Sequence, residues 1–320
     1  MRSNRSLRTV ATLASAGALL LSSTIVAGAS VKSHSTPSAS LNAAAAKLVP
    51  SVYKAKTLQS AMDASYAPDE FTDANGKVIG FDADLMKALA TTLGLNVVNQ
   101  NVTFDNIIPG IQSGQYDIGN SSFTDTTARQ KMVNFVHYFS AGEAYYVKKG
   151  TSLAFNAKSP LVSLCSTKST NRVKVAVEAG TTEESDAQSV VAYTTHPAAG
   201  QNSCSKTSPF APVVDSFTTQ DQANTALSSG QDTVGFLDSQ VAAYVVATAT
   251  VNGAQLFALA GAPFFAADYG MAFKKDANGF ALAKAFAAAF VVIQKSGVYG
   301  AILAHWGVTP GALKTFKVDL

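Results

Sequence analysis

From Leu58 onward, the spacing of apolar residues changes between the period of two typical of strands and the 3.6-residue period of amphipathic helices. This pattern predicts that short strands and helices follow one another along the chain. Residues 77–81 are typical of a strand that enters a helix. That helix is expected to keep one face toward a core, formed by Phe81, Leu85, Ala88, Leu89 and Thr92. Gly94 should end it, because glycine readily adopts the left-handed conformation of a C-cap. The alternation predicts an α/β fold.

The same strand and helix pattern continues and then recurs in the second half of the chain. Residues 96–102 are expected to form a strand, followed by a short helix that Asp105 caps and Gly114 ends. Residues 111–119 (IQSGQYDIG) resemble residues 227–235 (LSSGQDTVG). In both, a glycine ends a helix and a strand begins at once, which fits two similar lobes lying side by side.

The first 29 residues predict a signal peptide. Three arginines in the first eight residues precede an apolar stretch at residues 10–26, and residues 27–29 (AGA) supply the small residues of a cleavage site. An uncleaved anchor is the alternative, because about 20 mostly apolar residues just span a bilayer. No cysteine lies near the cleavage site, so a lipoprotein is not expected. We therefore expect an exported protein, either extracellular, on the cell surface or periplasmic.

Residues 30–56 are rich in serine, alanine, threonine and lysine and include Pro37 and Pro50. This composition predicts a flexible linker between the export signal and the folded part.

Composition and charge narrow the class of protein. A chain of 320 residues is long enough for two domains, and 47% hydrophobic residues support real cores. Lys and Arg number 24 against 21 Asp and Glu, and leaving out the three arginines of the first eight residues makes the counts equal. A neutral body gives no reason to expect a nucleic-acid partner.

Cysteines and histidines suggest a disulfide and no metal site. An exported chain folds in an oxidising space, so Cys165 and Cys204 are expected to be paired, with two separately buried thiols as the alternative. The four histidines are scattered, and none has the spacing of metal ligands. We expect neither a metal nor another cofactor.

Residues 120–129 (NSSFTDTTAR) are expected to follow a strand and open a helix. The free N–H groups of a first helical turn bind anions, and the hydroxyls of Ser121, Ser122 and Thr124 add donors. Arg129 could grip a carboxylate with both arms of its guanidinium. The structural alternative is a Ser/Thr-rich cap with a surface arginine.

Two further predicted helix N-termini are candidate ligand-binding positions. At residues 179–184 (AGTTEE), Thr181 and Glu184 have capping-box spacing, while Gly180, Thr181 and Thr182 could offer donors to the same carboxylate. Asp238 follows a predicted strand and could either cap the next helix or bind an ammonium group.

Asp63 and Tyr66 share one loop. Tyr66 could be an ordinary core residue or the wall of a ligand cleft.

These segments, in this order, resemble family 3 of the extracellular solute-binding proteins, the polar amino-acid receptors of ABC importers. The resemblance rests on residues 80–85 (GFDADL), 104–114 (FDNIIPGIQSG), 179–182 (AGTT) and 306–307 (WG), and it covers roughly residues 57–310.

The resemblance implies a two-lobed periplasmic-binding-protein-like fold of type II, whose two α/β lobes are joined by a two-stranded hinge. Residues 57–143 and 268–320 would form the first lobe and residues 144–267 the second. The chain would capture a free amino acid by lobe closure and deliver it, as a monomer, to the membrane permease of an ABC importer. The resemblance also supports a Cys165–Cys204 disulfide in the second lobe.

It further implies roles for the candidate ligand-binding residues, which are Asp63, Tyr66, Phe104, Ser121, Ser122, Thr124, Arg129, Thr181, Thr182, Glu183 and Asp238. Arg129, Thr124 and Thr182 would bind the α-carboxylate, and Asp238 the α-ammonium with help from Ser121. Tyr66 and Phe104 would enclose the ligand side chain. Asp63, Ser122 and Glu183 would line its pocket, which favours polar or cationic amino acids.

One position departs from the family pattern. Asp69 stands where an aromatic or apolar residue is usual, so either Phe71 substitutes for it or the mouth of the cleft is more acidic.

Two rival functions share the fold. An exported dehydratase of the cyclohexadienyl or arogenate type would need a proton donor, for which Glu183 is the candidate. A ligand-sensing subunit of a signalling system would need a separate partner.

Overall fold

The computed structural model describes residues 38–196 and 198–319. The predicted signal peptide and residues 30–37 of the predicted linker lie outside the described residues.

Strands form the framework of the fold. Those among the described residues are β1 (Leu58–Met62), β2 (Ser65–Tyr66), β3 (Glu70–Thr72), β4 (Val78–Ile79), β5 (Val97–Asn101), β6 (Ile118–Gly119), β7 (Val133–Lys148), β8 (Lys174–Glu178), β9 (Val190–Val191), β10 (Asn202–Ser203), β11 (Val213–Phe217), β12 (Val234–Asp238), β13 (Thr250–Val251), β14 (Ala254–Gln255), β15 (Phe257–Leu259) and β16 (Phe264–Lys274).

Helices cover the strands. The α-helices of the described part are α1 (Ala43–Lys47), α2 (Ser51–Lys54), α3 (Phe81–Leu93), α4 (Phe104–Ser113), α5 (Thr127–Gln130), α6 (Thr182–Ser189), α7 (Gln220–Ser229), α8 (Ser239–Thr248), α9 (Ala277–Lys295) and α10 (Val298–Trp306). Short 3₁₀ turns lie at Pro160–Leu164, Ser169–Asn171 and Thr309–Gly311.

The two longest strands, β7 and β16, pair antiparallel and connect two groups of parallel strands. The principal sheet has the order β11-β8-β12-β7-β16-β6-β1-β5, with β15 also on β7. Strand β1 is parallel to β5 and β6, and β8 is parallel to β11 and β12. We call the part with β1, β5 and β6 the first lobe and the part with β8, β11 and β12 the second lobe. The two-lobed α/β fold is thus as expected.

Each lobe has its own apolar core. In the first, Phe81 of α3 belongs to the same core as Phe286 and Phe290 of α9. In the second, Tyr145 packs with Phe236, whose ring centroid lies 4.6 Å away. The lobe boundaries expected at residues 143/144 and 267/268 fall inside β7 and β16, which both continue past them. The boundaries therefore remain a prediction.

Helix α9 is a core helix that is also long and apolar enough to cross a membrane by length and composition. Half of its most apolar 18-residue stretch is buried inside the protein. Its side chains in the first core are Leu282, Phe286, Phe290 and Ile293. Packing in the first lobe therefore accounts for its apolar character.

The predicted flexible linker is wrong for its described end. Residues 43–54 contain α1 and α2, and Ala45, Val49 and Tyr53 are buried in the first core. The Asn42 side chain caps α1 by accepting the Ala45 N–H at 3.0 Å. Scattered apolar residues were too few to show a helical period, but they suffice to attach the segment to the lobe.

Other local predictions are confirmed with one correction. Gly94, Gly114 and Gly230 each end a helix in the left-handed conformation. Asp105 does not cap α4, which begins at Phe104. The Asp63 carboxylate accepts the Phe104 N–H at 2.9 Å instead, from a loop 41 positions earlier.

The two cysteines form a disulfide. Cys165 and Cys204 are joined in the second lobe, 39 positions apart in sequence, so the alternative of two separate thiols is wrong. The bridge ties the segment before β8 to the loop around β10.

Removing this disulfide should destabilise the second lobe. Closing a loop of this length restricts the unfolded chain by about 3–4 kcal/mol. We expect the double variant Cys165→Ala/Cys204→Ala to lose that much free energy of unfolding, as measured by urea denaturation. Reducing agent should have the same effect on the wild type and none on the variant. Equal stability of variant and wild type would contradict the assignment.

Candidate functional site

The carboxyl ends of parallel strands from both lobes meet at one cleft. Strands β1 and β6 lead into the loops that hold Asp63 and Ser121, and β8 and β12 end at Glu178 and Asp238. This is the edge at which open α/β sheets bind ligands. The cleft is lined by Asp63, Tyr66, Glu70, Phe104, Ser121, Ser122, Thr124, Arg129, Glu178, Thr181, Thr182, Glu183 and Asp238. All eleven candidate residues are among them, together with Glu70 and Glu178.

Arg129 connects the two lobes through its guanidinium. One terminal nitrogen donates to the Thr124 carbonyl and the other to the Gly180 carbonyl, both at 2.8 Å. Thr124 belongs to the first lobe and Gly180 to the second. The side chain is therefore an internal one, which excludes the alternative of a surface arginine.

Two aromatic rings hold the same guanidinium. Its central carbon lies 5.2 Å from the Phe104 ring centroid and 5.4 Å from that of Phe123. The two rings are themselves stacked at 4.5 Å. Burial lowers the pKa of Arg129, while Glu183 and Asp238 raise it. An arginine remains charged under these conditions, so the cleft contains a fixed cation.

The helix expected after residue 120 begins later and is short. Helix α5 spans only Thr127–Gln130, and Thr126 caps it by accepting the Arg129 N–H at 3.2 Å. The Thr126 cap uses one N–H donor of this first turn, and the anion site expected at the helix N-terminus stays a prediction. The cleft is lined by Ser121, Ser122 and Thr124 of the segment before the helix and by Arg129 of α5.

Threonine hydroxyls from opposite lobes meet beside Arg129. The hydroxyl oxygens of Thr124 and Thr182 lie 3.3 Å apart. Thr181 is used differently, since its hydroxyl accepts the Glu184 N–H at 3.2 Å and donates to the Glu178 carbonyl at 2.8 Å. The capping interpretation is thus confirmed for Thr181, whereas the Thr182 hydroxyl lies 3.2 Å from Oε2 of Glu183 and faces Thr124.

Asp238 is not a side-chain cap, although it precedes α8. Its carboxylate accepts a hydrogen bond from the Tyr66 hydroxyl at 2.9 Å. Its backbone N–H donates to the oxygen of that Tyr66 hydroxyl at 3.1 Å. This pair is another connection between the lobes. Burial raises the pKa of Asp238 to about 7. A buried carboxyl of this kind is ready to accept a cation that offsets the loss of water.

Asp63 organises the first lobe. One oxygen accepts the Ser65 N–H at 3.1 Å and the Ser65 hydroxyl at 2.7 Å, while the other accepts the Phe104 N–H. Burial raises its pKa in spite of these bonds. Asp63 lines the cleft, but its oxygens mainly hold the surrounding loop in place.

Ser121 and Ser122 direct their hydroxyls toward buried acids. Ser121 donates to Glu70 at 2.6 Å and accepts the Asp63 N–H at 2.9 Å. Ser122 donates to Asp69 at 2.8 Å. The hydroxyls therefore hold the floor of the cleft in the first lobe.

Sequence reasoning missed Glu178 and Glu70 as residues of the cleft. Glu178 is 2% exposed, and its Oε1 has no partner. Burial raises its pKa well above the ordinary value, and the neighbouring Asp63 raises it further. The available signal was its position as the last residue of an apolar strand, which it shares with Asp238.

Asp69 is buried below the cleft and does not make its mouth more acidic. Its carboxylate accepts the Gln240 side-chain N–H at 2.7 Å, and Gln240 belongs to α8 of the second lobe. The Phe71 ring lies 5.7 Å from that of Trp306 and 6.3 Å from that of Tyr244. The family departure thus adds a polar contact between lobes.

Acidic residues outnumber basic residues in the cleft. Arg129 is the one basic residue among those that line it, against five acids: Asp63, Glu70, Glu178, Glu183 and Asp238. Burial is the largest cause of a raised pKa for all five. A cation that enters the cleft would therefore be stabilised by these acids, because it favours their ionised forms.

Known proteins share this architecture. The family model of the bacterial extracellular solute-binding proteins, family 3, matches residues 58–309. The arginine-binding protein of Corynebacterium glutamicum is 30% identical over 248 residues, which are 78% of this chain and 73% of that protein.

Solved structures agree with the sequence comparison. An ancestral arginine-binding protein bound to arginine is 31% identical, with a TM-score of 0.64, over 78% of this chain and 97% of its own. An ancestral amino acid-binding protein, a precursor of cyclohexadienyl dehydratase, is also 31% identical, with a TM-score of 0.62, over 78% of this chain and 95% of its own. Because the family model matches well over half of the sequence, this chain belongs to family 3 of the bacterial extracellular solute-binding proteins.

Proposed function

We propose that this chain is an exported, monomeric receptor without a lipid anchor that closes its lobes on a free amino acid. Arginine is the proposed main ligand, and the membrane permease of an ABC importer is the proposed recipient. The observation that carries the proposal is that Arg129 and Asp238, both buried, line the same cleft, which is otherwise rich in acids. A zwitterion offers each of them a partner of opposite charge.

Arg129 has donors left for the ligand's α-carboxylate. A guanidinium carries five N–H donors, and the two carbonyl bonds to Thr124 and Gly180 occupy two of them. The hydroxyls of Thr124 and Thr182 meet beside it from opposite lobes. A carboxylate accepting from this group would contact both lobes at once, so its binding energy favours closure.

The proposed partner of the α-ammonium is Asp238. Tyr66 is its neutral donor in the structure, and the bond leaves the other carboxylate oxygen for a ligand. An ammonium group placed there would lower the pKa of Asp238 again, because it stabilises the ionised form.

The acids of the cleft other than Asp238 favour a cationic side chain. Glu178 and Glu183 each have a buried oxygen without a partner. A guanidinium can donate to two carboxylates with fixed geometry, whereas a neutral amide leaves the negative charge uncompensated. Phe104 presents a ring beside this region, although its contacts with Phe123 and Arg129 already cover part of it.

A dehydratase acting on an aromatic-amino-acid precursor is the second candidate. Burial raises the pKa of Glu183 well above its ordinary value, which favours the protonated form that a general acid for an elimination needs. Product release from prephenate or arogenate, lost in Glu183→Gln, would favour it. The retention of both Arg129 and Asp238 supports a receptor instead.

Substitution of Arg129 tests the carboxylate site. Loss of two charge-assisted bonds costs about 3 kcal/mol or more, so Arg129→Ala should weaken arginine binding by about 100-fold or more in titration calorimetry. Arg172→Ala is the matched control, because Arg172 also donates to two backbone carbonyls but does not line the cleft. Intact binding by a folded Arg129→Ala protein would refute the site.

Substitution of Glu178 tests the side-chain pocket. Glu178→Gln keeps the shape and removes one buried acid, so arginine affinity should fall about 10- to 100-fold while glutamine affinity does not. Glu184→Gln is the control, since glutamine can still accept the Gly180 N–H that Glu184 accepts and position 184 does not line the cleft. Equal losses for both ligands would show that the acid does not set specificity.

The raised pKa of Asp238 predicts that binding depends on pH. The carboxyl keeps its proton below about pH 7, and an ammonium ligand requires the ionised form. Binding therefore releases a proton, and affinity should fall as pH drops below 7, by at most about tenfold per unit for one proton. Calorimetry in two buffers of different ionisation enthalpy measures the release. An affinity that rises toward pH 5 would contradict this role.

A further inference from the structure

A second cluster of polar side chains lies outside the amino-acid cleft, in the first lobe. Nε2 of His137, on β7, lies 2.6 Å from Oδ2 of Asp125 and 3.2 Å from Oδ1 of Asp319. One ligand atom from each of the three residues lies within 4.8 Å of the others. The three come from a loop, a strand and the C-terminal segment, so the fold alone brings them together.

The other nitrogen of the His137 ring has a carboxylate of its own. Nδ1 lies 3.5 Å from Oδ2 of Asp268, which belongs to β16. Histidines that bind metal through one nitrogen commonly direct the other to a carboxylate, which fixes the ring orientation and increases the basicity of the ligand nitrogen. Asp268 thus leaves Nε2 directed at Asp125 and Asp319.

The single positive charge of a protonated His137 does not neutralise the carboxylates around it. Three carboxylates surround one histidine, and no lysine or arginine of the described residues forms a salt bridge with any of the three. A single N–H on Nε2 can point at only one carboxylate. Asp125 is nearly buried, with 6% of its side chain exposed. Its Oδ1, like Oδ2 of Asp319, is a buried oxygen without a partner.

We propose that Asp125, His137 and Asp319 bind a divalent transition-metal ion, with zinc as the first choice. A nitrogen together with carboxylate oxygens suits zinc and its neighbours in the first transition series. Calcium and magnesium prefer sets made only of oxygen. The dispersed positions explain why histidine spacing in the sequence predicted no metal site.

Such an ion would secure the segments beside the amino-acid cleft. Asp125 directly follows Thr124, and its N–H donates to the Asp268 carbonyl at 2.9 Å. The N–H of His137 donates to the Lys317 carbonyl at 2.9 Å, which places the C-terminal segment on β7. The ion would tie this segment to the loop that carries Thr124. The inference does not depend on which amino acid the cleft binds.

Zinc titration of the full chain, without a histidine tag and treated with chelator, tests the site. We expect saturable binding of one zinc ion and a higher melting temperature. His137→Ala should abolish both, whereas His305→Ala, at an exposed position on α10, should leave both unchanged. Asp268→Asn should weaken zinc binding about 10- to 100-fold.

Asp319→Asn keeps the proposal falsifiable if His137→Ala fails to fold. This variant keeps the side-chain shape near the chain end and should weaken zinc binding at least about 10-fold, while its cooperative melting without metal stays intact. Unchanged zinc affinity in folded Asp319→Asn or His137→Ala would overturn the proposal. Calcium binding as tight as zinc binding would overturn the choice of metal. Absence of saturable zinc binding would leave the cluster as an ion-paired histidine only.

Discussion

The buried guanidinium of Arg129 is the interaction on which the cleft depends. It is the one positive charge among the lining residues, and it donates to a backbone carbonyl of each lobe. Such a charge is costly to bury without acceptors, so the two carbonyls and the rings of Phe104 and Phe123 make its position possible. Its remaining donors are then fixed in direction, as the proposed carboxylate site requires.

The acids of the cleft form the opposite half of the same arrangement. Each loses water on burial, and the resulting rise in pKa means that the closed lobes disfavour ionised carboxylates. A cationic ligand reverses this cost. In the proposed receptor, lobe closure and ligand charge are coupled, because the ligand supplies the positive charge that offsets the burial of the acids.

Sequence patterns predicted the local structure well where one segment supplies all the forces. Helix α3 and its end at Gly94 follow from an apolar period and a glycine. The Thr181 cap follows from capping-box spacing. The pattern failed where a distant residue competes, as when Asp63 rather than Asp105 accepts the first N–H of α4. It failed also for α1 and α2, whose helical form depends on packing against the first core.

By itself, the sequence determined the alternation of strands and helices, the family motifs and the eleven candidate residues, because each is encoded within a short segment. Only the tertiary structure decided what those residues contact. It directed Asp238 to Tyr66 rather than to its own helix, buried Asp69 against Gln240, and brought Glu178 into the cleft. It also assembled Asp125, His137 and Asp319. The physical reason is that burial and the pairing of charges depend on distances through space, which residue spacing along the chain does not record.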